Sequence, residues 1–299
     1  MMTLGNLGEH EAIARLSAML GTPGDVLVGV GDDCAVCALS GTGNNQLFTT
    51  DPVVEGVHFL PSDDPVRVGN KAVGRVLSDI AAMGGCPQWI LVNVVAPPEV
   101  EFGRIERIYE GMIALCNRFG ATIIGGDLAK GASLELHLFG TGLVPAGNAL
   151  LRSGARVGDA VFVTGSLGGS LAGKHLDFVP RVDEGVFLRE TGVVHAMMDI
   201  SDGLATDLRH ILAQSGVGAS LQGESIPSNG SLEQAIYDGE DFELLLTVAE
   251  GDSDLLQARW RARFETPLSK VGAITGETGV LRLDGQVLKS KAYEHYRRP

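Results

Sequence analysis

The sequence lacks the features that mark secreted and membrane proteins. Four cysteines in 299 residues are too few and too scattered for a disulfide scaffold: Cys34, Cys37, Cys86 and Cys116. No uninterrupted apolar run reaches the ~18 residues of a membrane helix. The acidic start Glu9-His10-Glu11 is not that of a signal peptide. We therefore expect a soluble, cytoplasmic protein with no membrane partner.

Basic residues are also scarce. Lysine and arginine total 23 against 37 aspartates and glutamates, so the net charge is -14 at pH 7. A nucleic-acid-binding protein should present a basic face, and this balance argues against a nucleic-acid partner. It suits a protein that holds several divalent cations. Acidity that serves solubility alone is the other interpretation.

The chain is rich instead in aliphatic residues and glycine. Its 41 glycines indicate tight turns and close backbone approaches, and its length suits two domains with separate cores. Patterns typical of strands and helices alternate along both halves, which favours an α/β fold. A boundary near Pro145 to Gly158 divides the chain into residues 1–147 and residues 148–299.

The first polar cluster of interest lies around Asp51. The apolar strand Gln46-Leu47-Phe48 is predicted to break at Asp51-Pro52, because a residue before proline is driven out of helical geometry. Thr49, Thr50 and Asp51 then offer hard oxygen ligands of the kind a magnesium-phosphate site needs, with His58 seven residues after Asp51. An ordinary exit from a strand into a turn is the other interpretation.

Three more acids follow apolar segments in the first half. Asp33 comes after the strand Val26 to Gly31, which we interpret as buried, and Asp127 follows Gly125-Gly126 at the predicted exit of another strand. Asp79 lies near the end of a predicted helix, Pro65 to Met83, among small and apolar residues. Burying a lone carboxylate costs several kcal/mol unless it is paired or binds metal. Asp79 is therefore the strongest functional candidate of that helix.

The second half repeats the pattern. Asp199, Ser201 and Asp202 precede a predicted helix, where one of them could serve merely as an N-cap. Four acids lie at the start of a further predicted strand, and their side chains cannot all face the core: Asp238, Glu240, Asp241 and Glu243. The segment Gly168 to His175 matches the phosphate-loop pattern G-x-x-x-x-G-K. However, His175 stands where a hydroxyl residue should bind magnesium, so we do not interpret it as a phosphate loop.

Apolar segments thus end in an aspartate at six positions, which are spread over both halves: Asp33, Asp51, Asp79, Asp127, Asp199 and Asp202. This pattern suggests a site where divalent ions hold phosphates between two domains. With these motifs, the sequence resembles the thiamine-monophosphate kinase family of the aminoimidazole-ribonucleotide-synthetase-like superfamily. The resemblance extends from Gly8 to Tyr293. Further matching segments are Gly29 to Ala35, Gly56 to Phe59, Leu151 to Ala155 and Gly239 to Leu244.

The resemblance implies a two-domain α/β fold whose N-terminal domain forms a β-barrel across a homodimer and whose C-terminal domain closes the cleft. It implies direct phosphoryl transfer from ATP to thiamine monophosphate, with several Mg²⁺ ions. The implied metal ligands are Asp33, Thr49, Thr50, Asp51, Asp79, Asp127, Asp199 and Asp202. The implied ATP contacts are Gly126, Asp127, Arg152 and Ser201, and the implied substrate contacts are His58, Glu240 and Tyr293. Within these sets, the catalytic group comprises Asp51, Asp79, Asp127 and Arg152.

The sequence leaves two other functions open. One is a sister activity of the same superfamily, such as an ATP-dependent ligase of purine synthesis. A hydrogenase-maturation dehydratase would need a C-terminal cysteine, and a selenophosphate synthetase would need a reactive cysteine before Cys34. The other is a module that binds ATP and metal without turnover.

Overall fold

The structure is a computed structural model that describes residues 3–21 and 23–289 of the 299-residue chain. Its α-helices are α1 Leu4–Leu7, α2 Glu9–Ser17, α3 Pro65–Ala82, α4 Phe102–Arg118, α5 Lys174–Asp177, α6 Val182–Thr191, α7 Leu204–Ser215, α8 Leu232–Tyr237 and α9 Ser253–Arg261. Its first strands are β1 Val26–Val28, β2 Ala35–Leu39, β3 Asn44–Val54, β4 Cys86–Ala96, β5 Thr122–Lys130 and β6 Glu135–Pro145. The later strands are β7 Asp159–Thr164, β8 Val194–Ile200, β9 Gly218–Leu221, β10 Glu243–Ala249, β11 Leu268–Thr275, β12 Leu281–Leu283 and β13 Gln286–Val287.

The first half forms a six-stranded sheet in the order β1-β2-β3-β6-β4-β5. Neighbouring strands run antiparallel except β4 and β5, which are parallel. Buried and exposed residues alternate along β4, because successive side chains of a strand point to opposite faces. Helices α3 and α4 pack against the sheet. Among the described residues this sheet is open and does not close into a barrel.

Strand β3 corrects the prediction of a break at Asp51. The strand runs on to Val54, and Pro52 lies opposite His137 of β6. Strand β2 pairs with β3 only as far as Phe48, so Pro52 lies where β3 has a single neighbour. A proline without an N–H is tolerated at such an edge. Asp51 is therefore held within a paired strand rather than in a turn.

Two other strand predictions were wrong in detail. Strand β5 does not end at Gly126-Asp127 but continues to Lys130, because it keeps its parallel pairing with β4. The strand predicted from Val26 to Gly31 is not buried, since Leu27 and Val30 are both more than half exposed. Its regular part is limited to β1.

The second half forms a seven-stranded sheet in the order β13-β12-β9-β11-β7-β10-β8. Its central strands β7 and β10 are almost wholly buried, and their alternating side chains enter two cores on opposite sides of the sheet. The last strand of the first sheet, β6, ends at Pro145, and β7 begins at Asp159. The division into domains at residue 147 stays a prediction. None of the helices within residues 3–21 and 23–289 combines the length and the hydropathy of a membrane span.

Helix α3 lies between the two halves and carries much of the site. It begins where Asp64 caps the backbone N–H groups of Val66 and Arg67, with Pro65 at the first helical position. It packs closely on α4 through a glycine, because a Cβ added at Gly69 would lie 2.0 Å from the Ile108 carbonyl oxygen. It also contacts α5, α6 and β8 of the second half. Side chains on α3 can therefore reach groups from both halves.

Candidate active site

Three aspartates from different elements meet between the two halves. Asp33 follows β1, Asp79 lies in the last turns of α3, and Asp199 lies in β8. One carboxylate oxygen from each can be chosen so that all three atoms lie within 4.8 Å of one another. Asp33 and Asp199 are buried, with 8 % and 2 % of their surface exposed. Three carboxylates at such separation repel one another unless cations or protons neutralise them.

The electrostatics of this cluster reflect that repulsion. Burial, followed by the charge of Asp199, raises the pKa of Asp79 well above its usual value. Burial, followed by the charge of Asp33, raises the pKa of Asp199 to about 7. The cluster therefore tends to retain protons at neutral pH in the absence of a metal ion.

Hydroxyl and guanidinium donors orient the three carboxylates. The Thr49 hydroxyl donates to Asp79 at 2.5 Å, and the Ser78 hydroxyl donates to Asp199 at 2.6 Å. Arg152 donates to Asp33 Oδ1 at 2.5 Å. The other oxygen of Asp33 is buried and accepts no hydrogen bond from the described residues. A set of hard oxygens with one unsatisfied buried atom fits a magnesium site.

Arg152 contacts both Asp33 of the cluster and the preceding residue, Asp32. Its backbone N–H lies 3.2 Å from Asp32 Oδ2, and its guanidinium contacts Asp33. Burial raises the pKa of Asp32 to about 6, while Arg152 counters part of that effect. Arg152 is thus a partly buried cation beside the predicted metal ligands, as a phosphate-binding arginine would be.

A stripe of charge on α3 extends from the cluster. Lys71, Arg75 and Asp79 are four residues apart and so share one face of the helix. Arg75 donates to both oxygens of Asp51, from Nε at 2.7 Å and from a terminal nitrogen at 2.8 Å. Its other terminal nitrogen donates to Glu240 at 2.8 Å. Asp51 of the first sheet and Glu240 of the second half are therefore joined through one guanidinium.

Glu240 lies in a strained segment. Glu240 and Phe242 have φ angles of 67° and 50°, a left-handed conformation that costs energy for residues other than glycine. The backbone N–H of Glu240 donates to the Ser201 carbonyl at 2.7 Å, and that of Phe242 donates to the Ile200 carbonyl at 2.8 Å. These bonds and the cations of α3 fix the Glu240 carboxylate at one place.

A cavity of about 400 Å³ adjoins Glu240, and its wall includes His58, Lys71, Leu171, His175 and Glu240. Lys71 is fully buried. Its ammonium contacts Glu240 Oε2 at 2.6 Å, the His58 carbonyl at 2.6 Å and His175 Nδ1 at 2.8 Å. His58 is held in turn because the backbone N–H of Val54 donates to its Nδ1 at 3.0 Å. The cavity is thus built around two of the predicted substrate contacts.

Of the remaining predicted site residues, those that the structure describes make separate contacts outside the three-carboxylate cluster. The Thr50 hydroxyl donates to the Leu138 carbonyl at 2.9 Å, and Ser201 supplies its carbonyl to Glu240. Asp202 is exposed, and its backbone N–H donates to Asp207 at 3.0 Å. Tyr293 lies outside the described residues.

Gly126 and Asp127 lie apart from this constellation, on the exposed strand β5. Gly126 passes so close to β4 that an added Cβ would lie 1.8 Å from the Val92 carbonyl oxygen. The Asp127 carboxylate accepts a hydrogen bond from the next backbone N–H, that of Leu128, at 2.9 Å. Among the described residues Asp127 is not part of the three-carboxylate cluster. Its assignment as a metal and ATP ligand stays a prediction.

Sequence reasoning missed Arg75, Lys71 and His175. The signal for Lys71 and Arg75 was present in the sequence, because Lys71, Arg75 and Asp79 follow one another at intervals of four residues and so share one face of the helix. His175 was noted only as a mismatch in the apparent phosphate loop. The structure explains that segment differently, since Lys174 donates to the Ser166 carbonyl at 2.7 Å and approaches Glu243 at 3.5 Å.

Comparisons with known proteins agree along the chain. The family model described as AIR synthase related protein, N-terminal domain, matches residues 31–144, and that of the C-terminal domain matches residues 156–283. A thiamine-monophosphate kinase of Rhodopirellula baltica is 36% identical over 294 residues, with 91% of each chain covered. A thiamine-monophosphate kinase of Salmonella typhimurium is 33% identical over 328 residues, covering 98% of this chain and 99% of that protein.

A solved structure agrees with these relatives. AaThiL complexed with AMPPCP and TMP is similar with a TM-score of 0.87 and 30% sequence identity, and 99% of each chain is covered. The similarity therefore includes both sheets and the segment that joins them.

Proposed function

Because the chain belongs to the thiamine-monophosphate kinase family, we propose that it transfers the γ-phosphoryl group of ATP directly onto the phosphate of thiamine monophosphate. The products are thiamine diphosphate and ADP. The observation that carries the proposal is the cluster of Asp33, Asp79 and Asp199 beside Arg152, within a chain similar to a structure that holds AMPPCP and TMP. Buried acids that must be neutralised are what a magnesium-dependent phosphoryl transfer requires.

Several residues would hold magnesium and nucleotide. Asp33, Asp79 and Asp199 would be ligands of the ions, which when bound neutralise the charge of the phosphates. Further proposed ligands are Thr49, Thr50, Asp51, Asp127 and Asp202. The proposed nucleotide contacts are Gly126, Asp127, Ser201 and Arg152, whose guanidinium offers a planar pair of donors for phosphate oxygens.

The acceptor phosphate needs no general base, because its oxygen is already an anion near neutral pH. Positioning and charge neutralisation then supply most of the acceleration. Glu240 and His58 line the cavity of about 400 Å³, where we place the thiamine group. Arg75 and Lys71 hold Glu240 from the α3 side, so the cavity wall is in place before the substrate binds.

We expect the purified protein with Mg²⁺, ATP and thiamine monophosphate to form thiamine diphosphate, detected by chromatography. Free thiamine should be a poor acceptor, because it lacks the attacking phosphate. Turnover with free thiamine and none with the monophosphate would contradict the proposal. Bound ATP without any turnover would favour the module that binds nucleotide without catalysis.

We also propose that the protein is a homodimer that pairs the open face of its first sheet. That face carries large exposed apolar side chains, which an isolated subunit would leave in water: Trp89, Leu91, Ile124 and Phe139. The Leu91→Glu and Ile124→Glu double variant should change a species of about twice 31.4 kDa into one of 31.4 kDa. Light scattering after gel filtration measures this. A parent protein that is monomeric at micromolar concentration would contradict the dimer.

A further inference from the structure

Arg75 and Asp51 form an ion pair with two hydrogen bonds. The guanidinium donates from two nitrogens to the two oxygens of one carboxylate, at 2.7 and 2.8 Å. This two-bond arrangement is the strongest that an arginine and a carboxylate form. Both side chains are mostly buried, with 14 % of Arg75 and 18 % of Asp51 exposed. Solvent therefore screens the ion pair only weakly.

Other contacts hold Arg75 in this position. A third donor binds Glu240 at 2.8 Å, and the guanidinium carbon lies 5.5 Å from the centroid of the Phe242 ring. Phe242 stacks in turn on Phe178, with ring centroids 4.1 Å apart. Although burial opposes the charged form, Asp51 and Glu240 raise the pKa of Arg75 above its usual value. Arg75 is thus a permanent positive charge fixed against Asp51.

A divalent ion and this guanidinium compete for the same carboxylate. Two cations about 4 Å apart repel by about 4 kcal/mol per pair of unit charges at an effective dielectric constant of 20. The lone pairs of Asp51 that face Arg75 are also already used. We propose that Arg75 is an internal cation that occupies Asp51 in the metal-free protein and competes there with the incoming divalent ion. The inference deepens the proposed function and depends on its assignment of Asp51 as a metal ligand.

The competition gives Arg75 a role that the predicted ligands cannot fill. Without a cation beside it, Asp51 would add a further charge to a region where Asp79 already experiences the charges of Asp199, Asp51 and Asp33. In the metal-free state Arg75 neutralises the charge of Asp51 and so removes that repulsion. The same contact weakens the binding of the divalent ion. Arg75 is therefore a positioning residue that sets how tightly the site loads its ions.

The test measures ion binding without turnover. Titration of the full chain with Mn²⁺, followed by the electron paramagnetic resonance of the free ion, needs neither ATP nor acceptor. We expect Arg75→Gln to bind one ion at least about tenfold more tightly than the parent, which corresponds to about 1.4 kcal/mol. Asp51→Asn combined with Arg75→Gln should abolish that gain.

Arg181→Gln is the matched control. Arg181 also binds one buried carboxylate through two nitrogens, those of Glu243 at 2.7 Å each, but lies outside the predicted ligand set. Its substitution should leave Mn²⁺ affinity unchanged. If Arg75→Gln does not fold, Arg75→Lys serves, because a single ammonium cannot make the two-bond contact. It should bind Mn²⁺ with an affinity above that of the parent.

Two results would overturn the inference. One is Mn²⁺ affinity in the Arg75 variants equal to or below that of the parent. The other is a gain in affinity that persists when Asp51 is asparagine. Either result with thiamine diphosphate formed by the parent defeats this inference alone. The expected binding pattern with no thiamine diphosphate formed defeats the proposed kinase activity instead.

Discussion

Asp79→Asn is expected to lower thiamine diphosphate formation by at least about 10²- to 10³-fold while making the metal-free protein more stable. The loss is of the size seen when charge stabilisation of a transition state is removed. The gain in stability arises because burial and the neighbouring carboxylates raise the pKa of Asp79, so the folded chain must either protonate this carboxyl or bear its charge, and asparagine avoids both costs. Asparagine keeps an oxygen that can accept the hydrogen bond from Thr49. Chromatographic turnover and thermal unfolding in chelator measure the two effects.

The pH dependence of this effect follows from the raised pKa values. A carboxyl whose pKa is higher in the folded chain contributes stability at low pH and loses that contribution as the pH rises through the folded value. Burial, followed by the charge of Asp33, raises the pKa of Asp199 from 3.8 to about 7, so the metal-free parent should lose stability as the pH rises from about 4 to about 7. The advantage of Asp79→Asn should be small near pH 4 and largest above pH 7. An advantage independent of pH would contradict the repulsion.

Asp254→Asn is the control for this prediction. Asp254 is an exposed residue in the first turn of α9, far along the chain from the cluster. A surface substitution of this kind changes stability by less than about 0.5 kcal/mol. Both turnover and the melting temperature should stay near those of the parent.

Lys71→Met is expected to destabilise the fold by about 3 kcal/mol or more and to raise the KM for thiamine monophosphate at least about tenfold. Removing one partner of a buried ion pair leaves the other charge uncompensated. Here the substitution also leaves the His58 carbonyl and His175 Nδ1 without their shared donor. Arg75 still holds Glu240, which limits the loss. Denaturant unfolding and steady-state kinetics measure the two effects.

Lys174→Met separates this effect from a general loss of charge. Lys174 is one-third exposed and contacts Ser166 and Glu243 rather than the cavity residues Glu240 and His58. Its substitution should cost about 1 kcal/mol or less and leave the KM for the acceptor near the parent value. Similar losses in both variants would show that Lys71 acts only through the total charge of the region.

The sequence was most informative where a signal repeats over a long segment. The predicted helix from Pro65 to Met83 differs from α3 by one residue. A buried aspartate among apolar residues is an equally strong signal, because its cost demands a partner. Asp79 was identified in this way, whereas Asp33 and Asp199 were identified as acids that end apolar segments, and the structure brings the three together.

Strand ends were less predictable. Asp51-Pro52 and Gly126-Asp127 both have the composition of a turn, yet β3 and β5 continue through them. Pairing with β6 and with β4 decides this outcome, since hydrogen bonds to a neighbouring strand outweigh weak local preferences. Asp127 lies on exposed β5 for the same reason and is not part of the three-carboxylate cluster among the described residues.

The sequence by itself determined that this chain alternates strands and helices in two halves and that it must neutralise buried acids in both. Only the tertiary structure decided which cation neutralises which acid. Arg75 reaches Glu240 across 165 residues and Arg152 reaches Asp33 across 119. Contacts of that separation depend on how α3 and the two sheets pack, and no local pattern of residues encodes them. The partnership of Arg75 with Asp51 is therefore a property of the fold.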